Sequence, residues 1–134
     1  MSTAEDSLAT VEQFIAAYNN NVRQAYEEFT TSEFEWMEAP TQFSPAGRAG
    51  GHEVEFAAIS EAERTLRDEN LEILSSVASG DAVALECLWR AVLLVDMPDL
   101  PKGSKLALRV GAFYRVKDGK IMSAHEYLSS PVDL

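Results

Sequence analysis

An α+β fold, a curved antiparallel β-sheet wrapped round helices as a cone with an internal pocket, is predicted by three observations. The first half of the chain carries apolar residues at helical spacing in three segments, and from Leu71 onward the spacing changes to two-residue alternation broken by turn residues. The stretch Val110 to Leu128, VGAFYRVKDGKIMSAHEYL, is two such runs joined by Asp118-Gly119, a dipeptide that supplies the positive φ angles of a tight type I′ turn. A chain of 134 residues makes one domain, 1–134, large enough to bury a core without metal or disulfide staples.

The first helix is expected from Ala4 to Asn20, where Leu8, Val11, Ile15 and Tyr18 share a face with Phe14. Ser2 or Thr3 can cap it, and Glu5 and Asp6 suit the positive end of its dipole. Asn19-Asn20-Asn21 breaks the pattern, and Val22, Ala25, Tyr26 and Phe29 form a second, short helix ending near Thr30-Thr31. Phe34 to Ala39 alternates as a strand, with Phe34, Trp36 and Glu38 on one face. Pro40 stops it, and the loop to Gly51 reads as a flexible mouth. A third helix, His52 to Asn70, buries Phe56, Ile59, Ala62 and Leu66. Strands follow at Leu71 to Ala78 and Ala82 to Val95, joined by Ser79-Gly80-Asp81, then at Lys105 to Lys117 and Lys120 to Leu128. The resulting meander, with the earlier strand closing its edge, curls round the long third helix. Its open end is a natural site for an apolar small molecule in a cavity of roughly 300 to 1,000 Å³.

Composition excludes several function classes. A net charge of -11 argues against nucleic-acid or anionic-membrane partners, which require Lys/Arg clusters. Cys87 is the only cysteine, so no intramolecular disulfide forms, and a reducing cytoplasm is the expected location. No leader pattern and no run of about 18 apolar residues is present, so neither secretion nor a membrane span is expected. His52 and His125 stand alone, without the paired spacing of a zinc or iron site, and no metal is predicted. Cys87 sits in an apolar run that raises a thiol pKa, which disfavours a nucleophile.

The element order, with the pieces FIAAYNN, WMEAP, GRAG, SGDAVAL and FYRVKDGKIMSAHEYL, resembles the nuclear-transport-factor-2-like (NTF2-like, cystatin-like) superfamily. Within it the chain is similar to the SnoaL-like polyketide-cyclase and limonene-epoxide-hydrolase-like branches, over nearly its whole length. The resemblance implies a homodimer and a carboxylate on the last strand as general acid/base, a place filled by Glu126. The histidines that cyclases use beside it fall at Ala112 and Ala124 and are absent. The epoxide-hydrolase Tyr-x-Asn and Arg-x-Asp pairs align with Trp36 and Glu38 and with Cys87 and Trp89. Ketosteroid isomerases, more distantly similar, imply a Tyr near Phe14 and a carboxylate near Glu38.

Alternation tests the site independently. If Glu126 points inward, so do Met122, Ala124 and Leu128, opposite Leu108, Val110, Ala112 and Tyr114 on the partner strand. The expected pocket is then lined by Phe14, Tyr18, Trp36, Phe56, Cys87, Trp89, Ala112, Tyr114, Met122 and Ala124, with Glu38 and Glu126 as its ionisable groups. A carboxylate in such a poorly hydrated aromatic setting has its pKa pushed toward neutrality, where it exchanges protons readily. Tyr18 or Tyr114 is the candidate hydrogen-bond donor to a developing oxyanion. The outward residues Glu86, Leu88, Arg90, Val92, Arg109, Phe113, His125 and Tyr127 mix apolar and oppositely charged groups, as a sheet-to-sheet dimer interface does. Two functions stand: a cofactor-independent cyclase, isomerase or epoxide hydrolase acting on a polyketide- or terpenoid-like molecule, and a non-catalytic small-molecule-binding or structural dimer.

Overall fold

The structure, a computed structural model, describes residues 3–132. Helix α1 (Ala4–Asn20) is followed by α2 (Val22–Phe29), strands β1 (Thr30–Glu38) and β2 (Arg48–Gly50), and α3 (His52–Thr65). Strands β3 (Leu66–Ser79), β4 (Ala82–Leu93), β5 (Lys105–Lys117) and β6 (Lys120–Leu128) complete the chain. Thr3 caps α1 by accepting the Asp6 N–H at 3.0 Å, while the alternative cap Ser2 lies outside the described residues. Asn21 serves two helices: its N–H closes α1 on the Ala17 carbonyl, and its side chain accepts the Gln24 N–H to open α2. The chain therefore turns sharply between them and returns α2 beside the core.

The six strands form one unclosed sheet in the order β2-β1-β6-β5-β4-β3. Three features correct the expectation. The sheet is mixed, because β1 lies parallel to β6 while the remaining neighbours are antiparallel. Strand β2, expected as loop, adds three residues antiparallel to β1, too few to show any periodicity. Helix α3 stops at Thr65, and Leu66 to Asn70 belongs to β3, whose edge position tolerates the exposed charges of Arg67 and Asp68. Asn19 clamps α1 to β3, donating to the Leu71 carbonyl at 2.9 Å and accepting its N–H at 2.7 Å.

The hairpin of β5 and β6 turns at Asp118 and Gly119 with φ of 51° and 76°, as the dipeptide predicts. Its register pairs Ala112 with Glu126 and Tyr114 with Ala124, so all four face the helices. Register shifts between Arg115 and Val116, where Met122 becomes the extra residue. Ile121, 1% exposed, takes the interior place expected of Met122.

The core lies between the concave sheet face and α1. Phe14 is its hub, 1% exposed and edge-on to Tyr26 at 5.0 Å and to Tyr114 at 6.1 Å. Burying such a ring contributes about 1.5–3 kcal/mol, and the edge-to-face geometry adds to it. On the convex face Arg90 pairs with Glu72 at 3.0 Å, and Arg115 with Asp81 at 2.9 Å. Leu88, expected to be open there, is buried, whereas Phe113 and Tyr127 stay half-exposed, edge-to-face at 5.8 Å.

Candidate active site

The cone encloses a cavity of about 360 Å³ between the sheet and the three helices. Trp36 and Glu38 reach it from β1, Trp89 from β4, Tyr114 from β5 and Glu126 from β6. Phe14 and Tyr18 of α1, Tyr26 of α2, and Glu55 and Ile59 of α3 close the opposite wall. At the rim stand Thr41, Phe43 and Ser44. That loop has its own hydrogen bonds, the Thr41 hydroxyl accepting the Phe43 and Ser44 N–H groups at 3.1 and 2.9 Å.

Glu126 faces inward, next to Glu38 in the parallel register of β1 and β6. Its Oε1 accepts the indole N–H of Trp36. Burial among aromatic rings lifts its pKa to about 7, against the pull of the Trp36 hydrogen bond; the Glu38 charge raises it further and Arg48 lowers it. The group is therefore poised to accept or release a proton near neutrality.

Glu38 also lines the cavity but is held by a cation. Arg48 contacts its carboxylate at 3.0 Å, lies 5.3 Å over the Trp36 ring and comes within 3.9 Å of Glu61. Gly47 makes this approach possible: its φ is +70°, and a Cβ there would stand 2.8 Å from the Glu38 carbonyl oxygen. Glu38 thus orients Arg48 and adds negative charge beside Glu126.

Two carboxyls absent from the sequence-level site join it. Glu55 is 3% exposed, with Oε2 buried and without a hydrogen-bond partner. Burial, then the nearby Glu126 charge, push its pKa up to about 9, while Arg48 and the Tyr26 phenol work the other way. At neutral pH Glu55 is a carboxylic acid facing a carboxylate-forming partner. Glu55 lies four residues before Ile59, on the face that Ile59 and Ala62 share, a spacing that could have placed it inward, but a glutamate on a helix defaults to water. The expected Phe56 is turned aside, stacked on His52 at 5.7 Å beneath the Arg23 guanidinium. Glu69 is the other addition. Its Oε1 accepts the Tyr18 hydroxyl and the Trp89 indole N–H, each at 3.2 Å, and burial raises its pKa. Alternation from Leu71 back to Glu69 pointed inward, but it was obscured by the helix boundary drawn at Asn70.

Of the predicted lining, Phe14, Tyr18, Trp36, Trp89 and Tyr114 stand in the cavity with Glu38 and Glu126. Phe56, Cys87, Ala112, Met122 and Ala124 do not line it. Cys87, Ala112 and Ala124 share the concave face but are sealed in the core where α1 packs on the sheet, and Met122 is displaced by the bulge. Burial pushes the Cys87 thiol up to about 11, so it is no nucleophile. Tyr18 is committed to Glu69, and burial keeps the Tyr26 and Tyr114 phenols protonated, as donors toward the cavity. Among the described residues no group of three His, Cys, Asp or Glu side chains is placed to hold a metal ion.

A curved open sheet closed over an interior cavity by three helices is an NTF2-like fold, and its site is a cavity of buried carboxyls and aromatic rings. The SnoaL-like domain model matches residues 11–124, and the chain belongs to that family. Among solved structures it is similar to IdmH from Streptomyces antibioticus, a proposed polyketide cyclase, at 18% identity and a TM-score of 0.77 over 92% of this chain and 91% of that one. It is also similar to a proposed polyketide cyclase from Xanthomonas campestris, at 22% identity and a TM-score of 0.74 over 94% and 92% of the two chains. An NTF2-like protein from Burkholderia xenovorans matches at 17% identity and a TM-score of 0.69 over 96% and 92%. No curated protein sequence matches.

Proposed function

We propose that the protein is a cofactor-independent acid/base catalyst of the cyclase, isomerase or epoxide-hydrolase type, acting on a mostly apolar polyketide- or terpenoid-like molecule. The observation that carries this reading is the convergence of Glu126 and Glu55 in one aromatic cavity with pKa values of about 7 and about 9. Two carboxyls whose environments hold them in opposite protonation states divide the work of base and acid. Glu126 as carboxylate takes a proton from carbon beside a carbonyl, or from a water that opens an epoxide. Glu55 as carboxylic acid gives its proton to the developing oxyanion, with Tyr114 or Tyr26 as a further donor. Glu38, clamped by Arg48, acts by charge and position.

Carboxyl carbon-13 NMR titration of the protein tests the premise directly. One glutamate is expected to titrate near pH 7 and another near pH 9, assigned through Glu126→Gln and Glu55→Gln. Both carboxyls titrating near the ordinary value of about 4.5 would remove the acid/base reading. The rival, a non-catalytic binder, is favoured by Ala112 and Ala124 standing where cyclases of the family carry histidines. It predicts ligand binding without turnover.

The second part of the proposal is a homodimer through the convex sheet face, supported by the half-exposed Phe113 and Tyr127 beside the exposed Val77. Such rings are enriched at interface centres. Light scattering is expected to give twice the chain mass for the wild type and the single mass for Phe113→Glu with Tyr127→Glu. A wild type that stays monomeric at high concentration would sink this part. The cytoplasm is the proposed compartment, in keeping with the lone buried Cys87. Among the described residues no helix is long and apolar enough to cross a membrane.

A further inference from the structure

The cavity is lopsided in charge. Five glutamates line it, Glu38, Glu55, Glu61, Glu69 and Glu126, against one cation, Arg48. Arg48 is already engaged by Glu38 at 3.0 Å and Glu61 at 3.9 Å. The other three carboxyls receive hydrogen bonds or polar contacts only from Trp and Tyr side chains, or none. Glu55 in particular is 3% exposed, lines the cavity, and leaves Oε2 unpartnered. A cavity so rich in carboxyls and so poor in cations and donors suits a ligand that brings positive charge and a hydrogen-bond donor of its own.

Glu69 supplies the seat for such a ligand. The bulge at Asp68 and Glu69, where two residues of β3 stand opposite Ala91 of β4, brings Glu69 to the cavity wall beside Trp89 and Tyr18. Asp68 takes a φ of 57° there, a left-handed backbone that few non-glycine residues adopt. Both donors fall on Oε1, which leaves the second oxygen to a ligand. A carboxylate fixed through one oxygen by an indole N–H and a phenol O–H, in an otherwise apolar wall, is the chemistry that recognises an organic ammonium group through a charge-assisted hydrogen bond. A metal ion is the wrong cation, since no three ligating side chains converge among the described residues.

We propose that the cavity takes an apolar molecule bearing a protonated amine, with the ammonium group against Glu69 between Tyr18 and Trp89 and the apolar body toward Glu55 and Glu126. This rests on reading the cavity as the ligand site and narrows its substrate class.

Isothermal calorimetry at neutral pH with three probes of one shape tests it: naphthylmethylammonium, naphthylmethanol and naphthoate. The ammonium is expected to bind at least about tenfold more tightly than the alcohol, and the naphthoate more weakly than either. In Glu69→Gln that preference is expected to vanish while the affinity for the alcohol stays within about twofold. Equal binding of alcohol and ammonium, or tighter binding of naphthoate, overturns the cation while leaving the acid/base cavity intact. A preference that survives Glu69→Gln overturns the assigned seat. Absence of binding by all three overturns both this inference and the ligand-site reading beneath it. The wild-type series is decisive even where the variant fails to fold.

Discussion

Glu126→Gln is expected to lower kcat by about 10²- to 10⁴-fold on any substrate the cavity turns over, with ligand affinity nearly unchanged. The substitution keeps the size of the side chain, and its carbonyl oxygen can still accept the Trp36 indole N–H, so packing and the hydrogen bond persist. What is lost is the ability to take up a proton. In the wild type the base form of Glu126 is populated as pH rises through about 7, so kcat should climb across that range and level off above it. It should fall again as Glu55 loses its proton near pH 9. Such a bell belongs to the carboxyl pair as a unit, because the two charges influence one another. Unchanged turnover in Glu126→Gln, or a flat profile between pH 6 and 10, would refute the assignment of base and acid.

The largest stability effect is expected from Glu55→Leu. In the folded protein Glu55 holds its proton up to about pH 9, whereas in the unfolded chain it releases it near the ordinary value of about 4.5. Across that window the folded state binds the extra proton, so stability falls as pH rises, by about 1.4 kcal/mol per pH unit from this one group. Below the unfolded value both states are protonated and the difference disappears; above about 9 both are ionised and the loss is complete. Leucine fills a similar volume beside Ile59 and carries no charge to desolvate. Glu55→Leu should therefore match the wild type within about 1–2 kcal/mol near pH 4.5 and exceed it by several kcal/mol at pH 8 and above. Urea unfolding at a series of pH values measures the gap, and parallel stability curves for the two proteins would count against it. Glu126 adds a slope of the same sign between its ordinary value and about 7, but it is present in both proteins and cancels in the comparison. The expected gain would mark Glu55 as a residue retained at the expense of stability, which is what a working carboxyl in an apolar cavity costs.

How far the chain could be read in advance varied with the range of the physics involved. The Asp118-Gly119 hairpin was legible because its turn geometry and alternation act over a few residues. The inward direction of Glu126 followed from alternation with Ala124, and it held because no bulge lies between them. Met122 failed the same test because the bulge opposite Arg115 and Val116 shifts the parity of the strand beyond it. Glu69 was misassigned because LRDEN carries the charges of an exposed helix, and only pairing with Leu93, Val92 and Arg90 of β4 makes it an edge strand. Arg48 could not be placed at all, since β2 is three residues long and its direction is set by β1.

By itself, then, the sequence determined the α+β class, most element positions, the internal pocket and the inward carboxylate of Glu126, because backbone period and turn chemistry are local. The tertiary structure alone decided that β1 runs parallel to β6, that Arg48 pairs with Glu38, and that Glu55 and Glu69 face the same cavity. The protonation states of these carboxyls depend on the charges across the cavity and on the water excluded from it, quantities that exist only once distant segments have packed.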